Sequence, residues 1–351
     1  MLIAAYNHQS YMSGIGLLLL VVFLWTASNF VTQDLYNDGY AKPFLVTYLN
    51  TASFALYLLP FFVFKRRAPS NDIQSGLHGE GYAYQSLAES PRPEAVPPAS
   101  RGSIPPLTTN ETANLALIFC LLWFIANWTV NASLEYTSVA SSMILSGTSG
   151  FFTLGVSYVF RVETLNLAKI AAVITSFCGV VLVSLSDSYQ ESPAPDILTS
   201  ERHQPILGDF LALISAVFYA LYVIFLKVRV GSESRINMQL FFGFVGLFNV
   251  LLCWPVGLVL HRTGIEPFEW PTSGRVIRAI MVITLTSDYM YVIAMLKTTP
   301  VVVTVGLSLT IPFAVIGDTI LGHPVQVQVL IGAILVMISF VTIGLESREA
   351  I

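Results

Sequence analysis

Ten stretches of this chain each contain about twenty mainly apolar residues, the length that an α-helix needs to cross the hydrocarbon core of a membrane. The stretches are continuous rather than alternating in polarity, which argues against membrane β-strands, and a helix satisfies its own backbone hydrogen bonds in lipid. The sequence therefore predicts an all-α membrane protein with ten transmembrane helices. The predicted spans lie at approximately residues 12–32, 43–64, 113–135, 138–160, 166–186, 206–227, 238–260, 276–296, 300–321 and 325–345.

The composition agrees with a chain whose main solvent is lipid. Hydrophobic residues make up 54% of it and charged residues 11%, whereas soluble domains carry about 25% charged residues. The net charge of −4 argues against a nucleic-acid partner. Cys120, Cys178 and Cys253 lie in apolar runs without the spacing of metal ligands, so we expect neither a metal nor a cofactor. The expected partners are the lipid bilayer and a small-molecule solute.

The distribution of Lys and Arg predicts how the chain is oriented. If the N-terminus is cytosolic, twelve of the seventeen Lys and Arg residues fall in cytosolic segments, with three of them together at residues 65–67. Cytosolic segments of membrane proteins carry an excess of these residues, most of all next to helix ends. We therefore expect both termini in the cytosol.

Residues 65–111 form the one long interval between apolar runs. This segment is rich in Pro and Ser, and we expect a disordered cytosolic linker. Tyr84 and Leu87 have the spacing of a tyrosine-based sorting signal. The linker could also dock partner proteins, which leaves open a different class of function, a non-transporting membrane receptor or tethering subunit.

The chain repeats part of its own sequence. When it is shifted by 162 positions, residues 127–160 fall on 289–322, and ten positions are identical. Five of them form the ungapped order LS-x-T-x-x-F-x-x-x-G. This suggests one five-helix unit at 12–186, which contains the linker, and a second at 206–345. Because five is odd, the second unit must enter the membrane from the opposite side, as in the inverted repeats of many secondary transporters.

Three phrases of the sequence point to a family: "LWTASNFVTQDLYNDGYAKPFLVTYLNTASFALYLLP", "LEYTSVASSMILSGTSGFFTLG" and "TPVVVTVGLSLTIPFAVIGD". They resemble the drug/metabolite transporter superfamily, also called EamA-like, and within it the F subfamily of solute carrier 35 with its fungal vacuolar and thiamine-repressible relatives. The resemblance implies ten helices, two inverted five-helix repeats and cytosolic termini. It leaves the solute open between a nucleotide sugar, a thiamine-like cation and another metabolite. It also favours the vacuolar membrane, with the Golgi as the alternative.

A carboxylate far from both ends of a predicted span is the leading candidate for the solute site. Asp288 lies past the middle of the span 276–296, on the same helical face as Tyr291. Ionisable groups inside spans are costly and are functional candidates by default. Asp288 could bind a cationic group, exchange a proton, or make a structural hydrogen bond to another helix.

Other polar and aromatic residues recur at helical spacing in the predicted spans, as if they lined a cavity for a small molecule. The alternative is helix–helix packing, where small and hydroxyl-bearing residues are common. The candidates are Trp25, Asn29, Asn127, Asn131, Ser146, Tyr219, Tyr222 and Ser308.

Four further residues are candidates for attracting the solute or for letting a helix bend. Lys227 and Lys297 end two spans on the predicted cytosolic side, where they could attract an anionic solute or reach lipid headgroups. Pro312 cannot donate to the carbonyl of Ser308, so we expect that carbonyl to be free and the helix to bend there. Gly150 stands at the matching position of the first repeat, and both are candidate hinges.

No enzyme motif is recognisable in the sequence: it has no phosphate-binding glycine loop, no HExxH and no nucleophile elbow. The sequence thus predicts a secondary transporter of a small polar organic solute that works by alternating access and is driven by a gradient or by exchange. The charge of the solute stays open, because Asp288 favours a cation and Lys297 an anion.

Overall fold

A computed structural model describes residues 2–37, 42–61, 105–137, 139–190, 205–269, 274–320 and 326–349. Within these ranges all regular structure is helical. Tyr84, Leu87 and most of the predicted linker lie outside the described residues. The α-helices are α1 (Leu2–Asn37), α2 (Pro43–Ser53), α3 (Thr109–Tyr136), α4 (Val139–Gly147), α5 (Ser149–Val159), α6 (Leu167–Gln190), α7 (Pro205–Val230), α8 (Met238–Thr263), α9 (Gly274–Lys297), α10 (Pro300–Leu307), α11 (Thr310–Ile320) and α12 (Val327–Glu349). Two 3-10 helices lie at Phe54–Leu58 and Glu233–Arg235.

Eight segments of the described chain are long and apolar enough to cross a membrane. They lie at Gln9–Ser28, Pro43–Phe61, Thr109–Ser133, Leu167–Ser186, Ile206–Val230, Met238–Thr263, Pro300–Gly317 and Val327–Ser347. The predicted all-α membrane fold is therefore confirmed. Two further predicted spans are also helical: 138–160 is divided into α4 and α5, and 276–296 is the more polar α9. The count of ten spans stays a prediction.

Local sequence signals explain where several helices begin and end. Thr108 and Glu111 form a reciprocal capping box at the start of α3, and the Asn237 side chain accepts from the Leu240 N–H at the start of α8. Gly264 ends α8 in the left-handed conformation at φ 74°, which glycine adopts without steric cost. These signals fix helix ends without help from the rest of the fold.

The helices pack in a few closely associated pairs: α6 with α12, α3 with α7, α1 with α9, and α8 with the end of α2 and its 3-10 continuation. Glycines permit the closest approaches. A Cβ atom on Gly179 of α6 would lie 2.7 Å from the Gly332 carbonyl oxygen of α12, and one on Gly332 would lie 2.7 Å from that of Gly179. Small residues serve this purpose in membrane helix pairs.

The outer surface of the bundle differs from that of a soluble protein. Large aromatic side chains such as Phe119, Phe241 and Tyr291 are fully buried in the interior. Phe23, Leu251 and other apolar side chains are more than half exposed along the helices. Such an outer surface would be costly in water but is suited to lipid.

Candidate functional site

In the described chain, the predicted spans 138–160 and 300–321 are each divided into two α-helices, and both breaks fall on the phrase that the sequence repeats. Thr148 separates α4 from α5, and Ser308 and Leu309 separate α10 from α11. The shared LS-x-T letters are Leu145–Thr148 in the first copy and Leu307–Thr310 in the second. We call these two segments the LSxT breaks.

The LSxT breaks share the same side-chain hydrogen bond. The Thr148 hydroxyl donates to the Leu145 carbonyl at 2.5 Å, and the Thr310 hydroxyl donates to the Leu307 carbonyl at 2.9 Å. A threonine hydroxyl that bonds back to the preceding turn competes with the helical ladder and bends helices. The matched positions of these bonds explain why both helices are interrupted within the same four letters.

The backbone at the breaks corrects one expectation. The Ser308 carbonyl was expected to be free, but it accepts the Ile311 N–H at 3.1 Å, because a 3-10 turn already replaces the helix before Pro312. Pro312 is the third residue of α11, where a missing N–H removes no bond of the first turn. Gly150 is the second residue of α5 and faces Val173 of α6. Both candidate hinges thus follow a break by a few residues.

A cavity of about 230 Å³ lies between the two LSxT breaks, and we call it the break cavity. Its walls come from both broken helices and from α6 and α7. Seven of its sixteen described lining residues carry hydroxyl groups. The described lining is Met143, Ser146, Gly147, Ser149, Gly150, Val173, Ser176, Phe177, Val180, Tyr219, Thr304, Val305, Leu307, Ser308, Thr310 and Ile311.

The two broken helices also touch each other directly beside this cavity. The Thr304 hydroxyl of α10 lies 3.2 Å from the Thr153 hydroxyl of α5, and both residues are buried. The Ser146 hydroxyl is buried and makes no hydrogen bond within the described structure. The structure therefore brings the predicted site residues Ser146 and Ser308 to one cavity.

Tyr219 connects the break cavity to a cluster of aromatic side chains. Its hydroxyl lies 2.7 Å from that of Tyr291, and the Tyr291 ring stacks on Trp25 with centroids 5.4 Å apart. Tyr222 lies edge-on to Trp123 at 5.1 Å. We call these five residues the aromatic cluster; they come from α1, α3, α7 and α9.

Asp288 adjoins the aromatic cluster at Trp25 and is only 4% exposed. The Trp25 indole donates to the Ser287 hydroxyl at 2.9 Å and also interacts with the Asp288 carboxylate. Within the described chain, no Lys, Arg or His forms an ion pair with it. The predicted residues Asp288, Trp25, Tyr291, Tyr219 and Tyr222 therefore meet in one place.

The asparagines lie elsewhere. The Asn127 side chain donates to the Trp123 carbonyl of its own helix at 2.8 Å, and that of Asn131 donates to the Thr47 hydroxyl of α2 at 2.9 Å. Neither is among the described lining of the break cavity. The side chain of Asn29 lies outside the described residues.

Both candidate lysines already have partners. The Lys227 amine donates to the carbonyls of Met295, Leu296 and Thr298 at the end of α9, at distances of 2.5–3.2 Å. The Lys297 amine lies 3.1 Å from the Glu233 carboxylate. In this conformation the lysines hold the end of α9 in place.

Two carboxylates that sequence reasoning missed bind helix N-termini at opposite ends of α9. Glu266 accepts the N–H groups of Phe44 and Leu45 at the start of α2, at 3.0 and 2.8 Å. Glu163, which is 8% exposed, accepts the Val301 N–H at the start of α10 at 3.1 Å. Anionic side chains are favoured at helix N-termini. A proline at the first turn, Pro43 or Pro300, was the available sequence signal.

Each of these contacts, which we call clasps, is reinforced by a lysine. The Lys169 amine lies 3.1 Å from the Glu163 carboxylate, and both side chains are at most 4% exposed. The Lys42 amine lies 2.8 Å from Glu269, and its hydrogen bond and charge hold the pKa of that carboxyl below its usual value. The 24 residues of α9 lie between the clasps, a helix length of about 36 Å.

Comparison with known proteins agrees with a polytopic membrane protein. The family model described as solute carrier family 35, SLC35F, matches residues 113–345. A solved structure with 14% sequence identity superposes with a TM-score of 0.63 over 96% of this chain and 99% of its own length, which shows a shared fold.

Fungal relatives match over nearly the whole chain. An uncharacterised transporter of Schizosaccharomyces pombe is 39% identical over 96% of this chain and 97% of its own length. An uncharacterised vacuolar membrane protein of Saccharomyces cerevisiae is 40% identical, over 96% and 91%. The thiamine-repressible mitochondrial transport protein of the same yeast is 34% identical, over 97% and 94%.

These matches define the class as membrane solute transporters. The chain belongs to the SLC35F branch of solute carrier family 35. The family resemblance carried by the three quoted phrases is thereby confirmed.

Proposed function

We propose that this protein is a secondary transporter that carries a small polar solute by alternating access, with the solute bound in the break cavity. The observation that carries the proposal is the pair of LSxT breaks, which contribute equivalent hydroxyls, those of Ser146 and Ser308, to the lining of one cavity. Broken helices at a repeat interface are typical of solute sites in secondary transporters.

Helix packing supports the assignment of two inverted repeats at 12–186 and 206–345. If the repeats are exchanged, α1 corresponds to α7 and α3 to α9, so the close pair α3–α7 becomes the close pair α9–α1. The pairs α6–α12 and α2–α8 map onto themselves. This is the pattern expected of a pseudo-two-fold axis that passes between the halves.

The two clasps supply the gates of the proposed cycle. Each joins the first repeat to the second, and they lie at opposite ends of α9. Release of the Glu163 clasp opens the cavity towards the predicted cytosolic side, and release of the Glu266 clasp opens it towards the other side. Opening one at a time yields alternating access without a continuous pore.

Within this cycle the predicted site residues take separate roles. Ser146, Ser308 and Tyr219 contact the solute, and Asp288 acts through the aromatic cluster as the charged group that couples to a cation or proton. Gly150 and Pro312 adjust the half-helices next to the breaks, while Lys227 and Lys297 hold the end of α9 that adjoins the Glu163 clasp.

The proposed location is the vacuolar membrane, with the Golgi as the alternative and both termini in the cytosol. Support comes from the Saccharomyces cerevisiae relative that is named as a vacuolar membrane protein and from the Lys and Arg distribution. Another relative carries a mitochondrial name. Imaging of a C-terminal fluorescent fusion would decide among these membranes.

Uptake into proteoliposomes tests the proposed function. Purified protein would be screened with radiolabelled nucleotide sugars, thiamine-like cations, sugars and amino acids. For any transported solute, Ser146→Leu and Ser308→Leu should abolish uptake by filling the break cavity. Ser232→Leu, in the exposed turn after α7, serves as the control and should transport normally. Full uptake by both cavity variants would contradict the proposal.

A further inference from the structure

The polar surface of the break cavity consists of hydroxyl groups. Among the described lining residues none carries a charge, and seven carry a hydroxyl. The Ser146 hydroxyl is buried with no partner in the described structure. A buried polar atom without a partner costs free energy, which a hydrogen-bonding solute would recover.

Several backbone N–H groups at the LSxT breaks are already bonded within the chain and are not free to hold an anion. In some transporters the freed N–H groups of a half-helix hold an anionic solute. Here the Phe151 N–H donates to the Thr148 carbonyl at 2.9 Å, and the Ile311 N–H donates to the Ser308 carbonyl at 3.1 Å. The breaks therefore present their side-chain hydroxyls to the cavity.

The acidic side chain of Asp288 lies next to the aromatic cluster. Tyr219 contacts Tyr291, Tyr291 stacks on Trp25, and Trp25 interacts with Asp288. An anion in the break cavity would lose its hydration without gaining a described cation and would face this carboxylate. A cation is favoured by the carboxylate and by the faces of the aromatic rings.

The size of the cavity also favours a small solute over a nucleotide-linked one. A volume of about 230 Å³ is below the roughly 300–1,000 Å³ of sites for drug-sized molecules. It is equivalent to about eight water molecules. A sugar nucleotide, which combines a nucleoside, two phosphates and a sugar, would extend well beyond this volume in the conformation described.

From these observations we infer that the solute of the break cavity is a small neutral or cationic molecule that binds through hydrogen bonds, and that phosphorylated solutes are excluded. This inference rests on the proposed function, since it assigns a chemistry to the same cavity. It separates this chain from carriers of nucleotide sugars.

Charged thiol reagents of similar size test the inference without knowledge of the solute. In a background with Cys120, Cys178 and Cys253 replaced by Ala, the single variants Ser146→Cys and Ser308→Cys would be treated with a cationic or an anionic methanethiosulfonate. The cationic-to-anionic rate ratio, divided by the same ratio for a free thiol, is expected to be about ten or more at both positions. Adding Asp288→Asn should lower that ratio towards one.

Each outcome decides a different point. A normalised ratio at or below one at both cysteines overturns the inference but leaves the cavity as a solute site, so the proposed function stands. If neither reagent reaches either cysteine, the break cavity is no solute site, and the inference falls together with the proposed function. A high ratio that persists after Asp288→Asn contradicts the role given to Asp288.

Discussion

Ser287 and Asp288 are consecutive residues of α9 that meet the same indole with different chemistry. Ser287 accepts the Trp25 hydrogen bond and also donates to the Thr284 carbonyl at 3.3 Å, which is the work of a structural hydroxyl. Asp288 is a carboxylate without a described ion-pair partner, buried where charge is costly. An ionisable group buried in a membrane span is a functional candidate by default. We assign to Asp288 the coupling of transport to a cation or proton.

Asp288→Asn should insert normally into the membrane yet lose more than about tenfold in transport rate, because a hydrogen bond or contact to a charged group contributes about 1.5–3 kcal/mol. The matched control is Asp209→Asn. Asp209 accepts from the Thr137 hydroxyl at 2.9 Å at the start of α7, away from the site, and should tolerate the change. Initial uptake rates measure both variants; a wild-type rate for Asp288→Asn would remove it from the mechanism.

At the scale of the element, the LSxT breaks explain why a chain keeps the same phrase twice. In each copy a threonine hydroxyl donates to the leucine carbonyl three residues earlier, beside the interruption of the helix; the Leu145 carbonyl also accepts the Thr148 N–H. In lipid such a carbonyl has no water to bind. The threonines therefore stabilise a bend that would otherwise be costly inside a membrane.

Thr148→Val and Thr310→Val remove these hydroxyls while keeping the side-chain shape. Each should reduce the free energy of unfolding by about 0.5–1.5 kcal/mol and slow transport, and the double variant should do both more strongly. Thr342→Val is the control, because the Thr342 hydroxyl makes the same type of bond, to the Ile338 carbonyl, on the exposed face of α12. Thermal unfolding in detergent measures the change in stability, and uptake rates measure the change in transport. Both should change at the breaks and not in the control.

Pro312→Ala provides a comparison within the same helix. Because Pro312 stands in the first turn of α11, alanine at this position restores no helical hydrogen bond that the fold lacks. We expect it to slow transport less than Thr310→Val does. The reverse order would place the bend at Pro312 and contradict the role assigned to the LSxT break.

Across the whole molecule, short-range patterns were readable from the sequence and long-range contacts were not. Continuous apolar runs predicted the helices, and the repeated LS-x-T letters marked the breaks without revealing the bonds of Thr148 and Thr310. Helical spacing placed Asp288 and Tyr291 on one face. It could not show which partner the Asn127 amide takes, because the carbonyl of its own helix and groups on neighbouring helices compete for it. Nor could it show that Glu163 reaches Val301, since that contact depends on how segments 138 residues apart come together.

The linker offers a test that separates transport from tethering. Deletion of residues 70–104, which spares the Thr108 cap of α3, should leave uptake by purified protein in proteoliposomes unchanged, because the site and both clasps are built from residues outside this segment. Relocation of the deletion variant in cells is compatible with transport. Loss of uptake by a correctly folded deletion variant would count against this account.

Alternating access itself is tested most directly by labelling the break cavity from each side of the membrane. A Ser308→Cys variant in the cysteine-free background, reconstituted in one orientation, would be treated with an impermeant cationic thiol reagent added to one side at a time. Glu163→Gln keeps the shape of the side chain but weakens one clasp, and Glu266→Gln does the same at the other end of α9.

If the clasps are alternating gates, the two variants should change the labelling rates in opposite directions. Glu163→Gln should speed labelling from the predicted cytosolic side and slow it from the other, and Glu266→Gln should do the reverse. If both variants speed labelling from both sides together, or if neither changes it, the two clasps are not alternating gates and the proposed transport cycle is wrong.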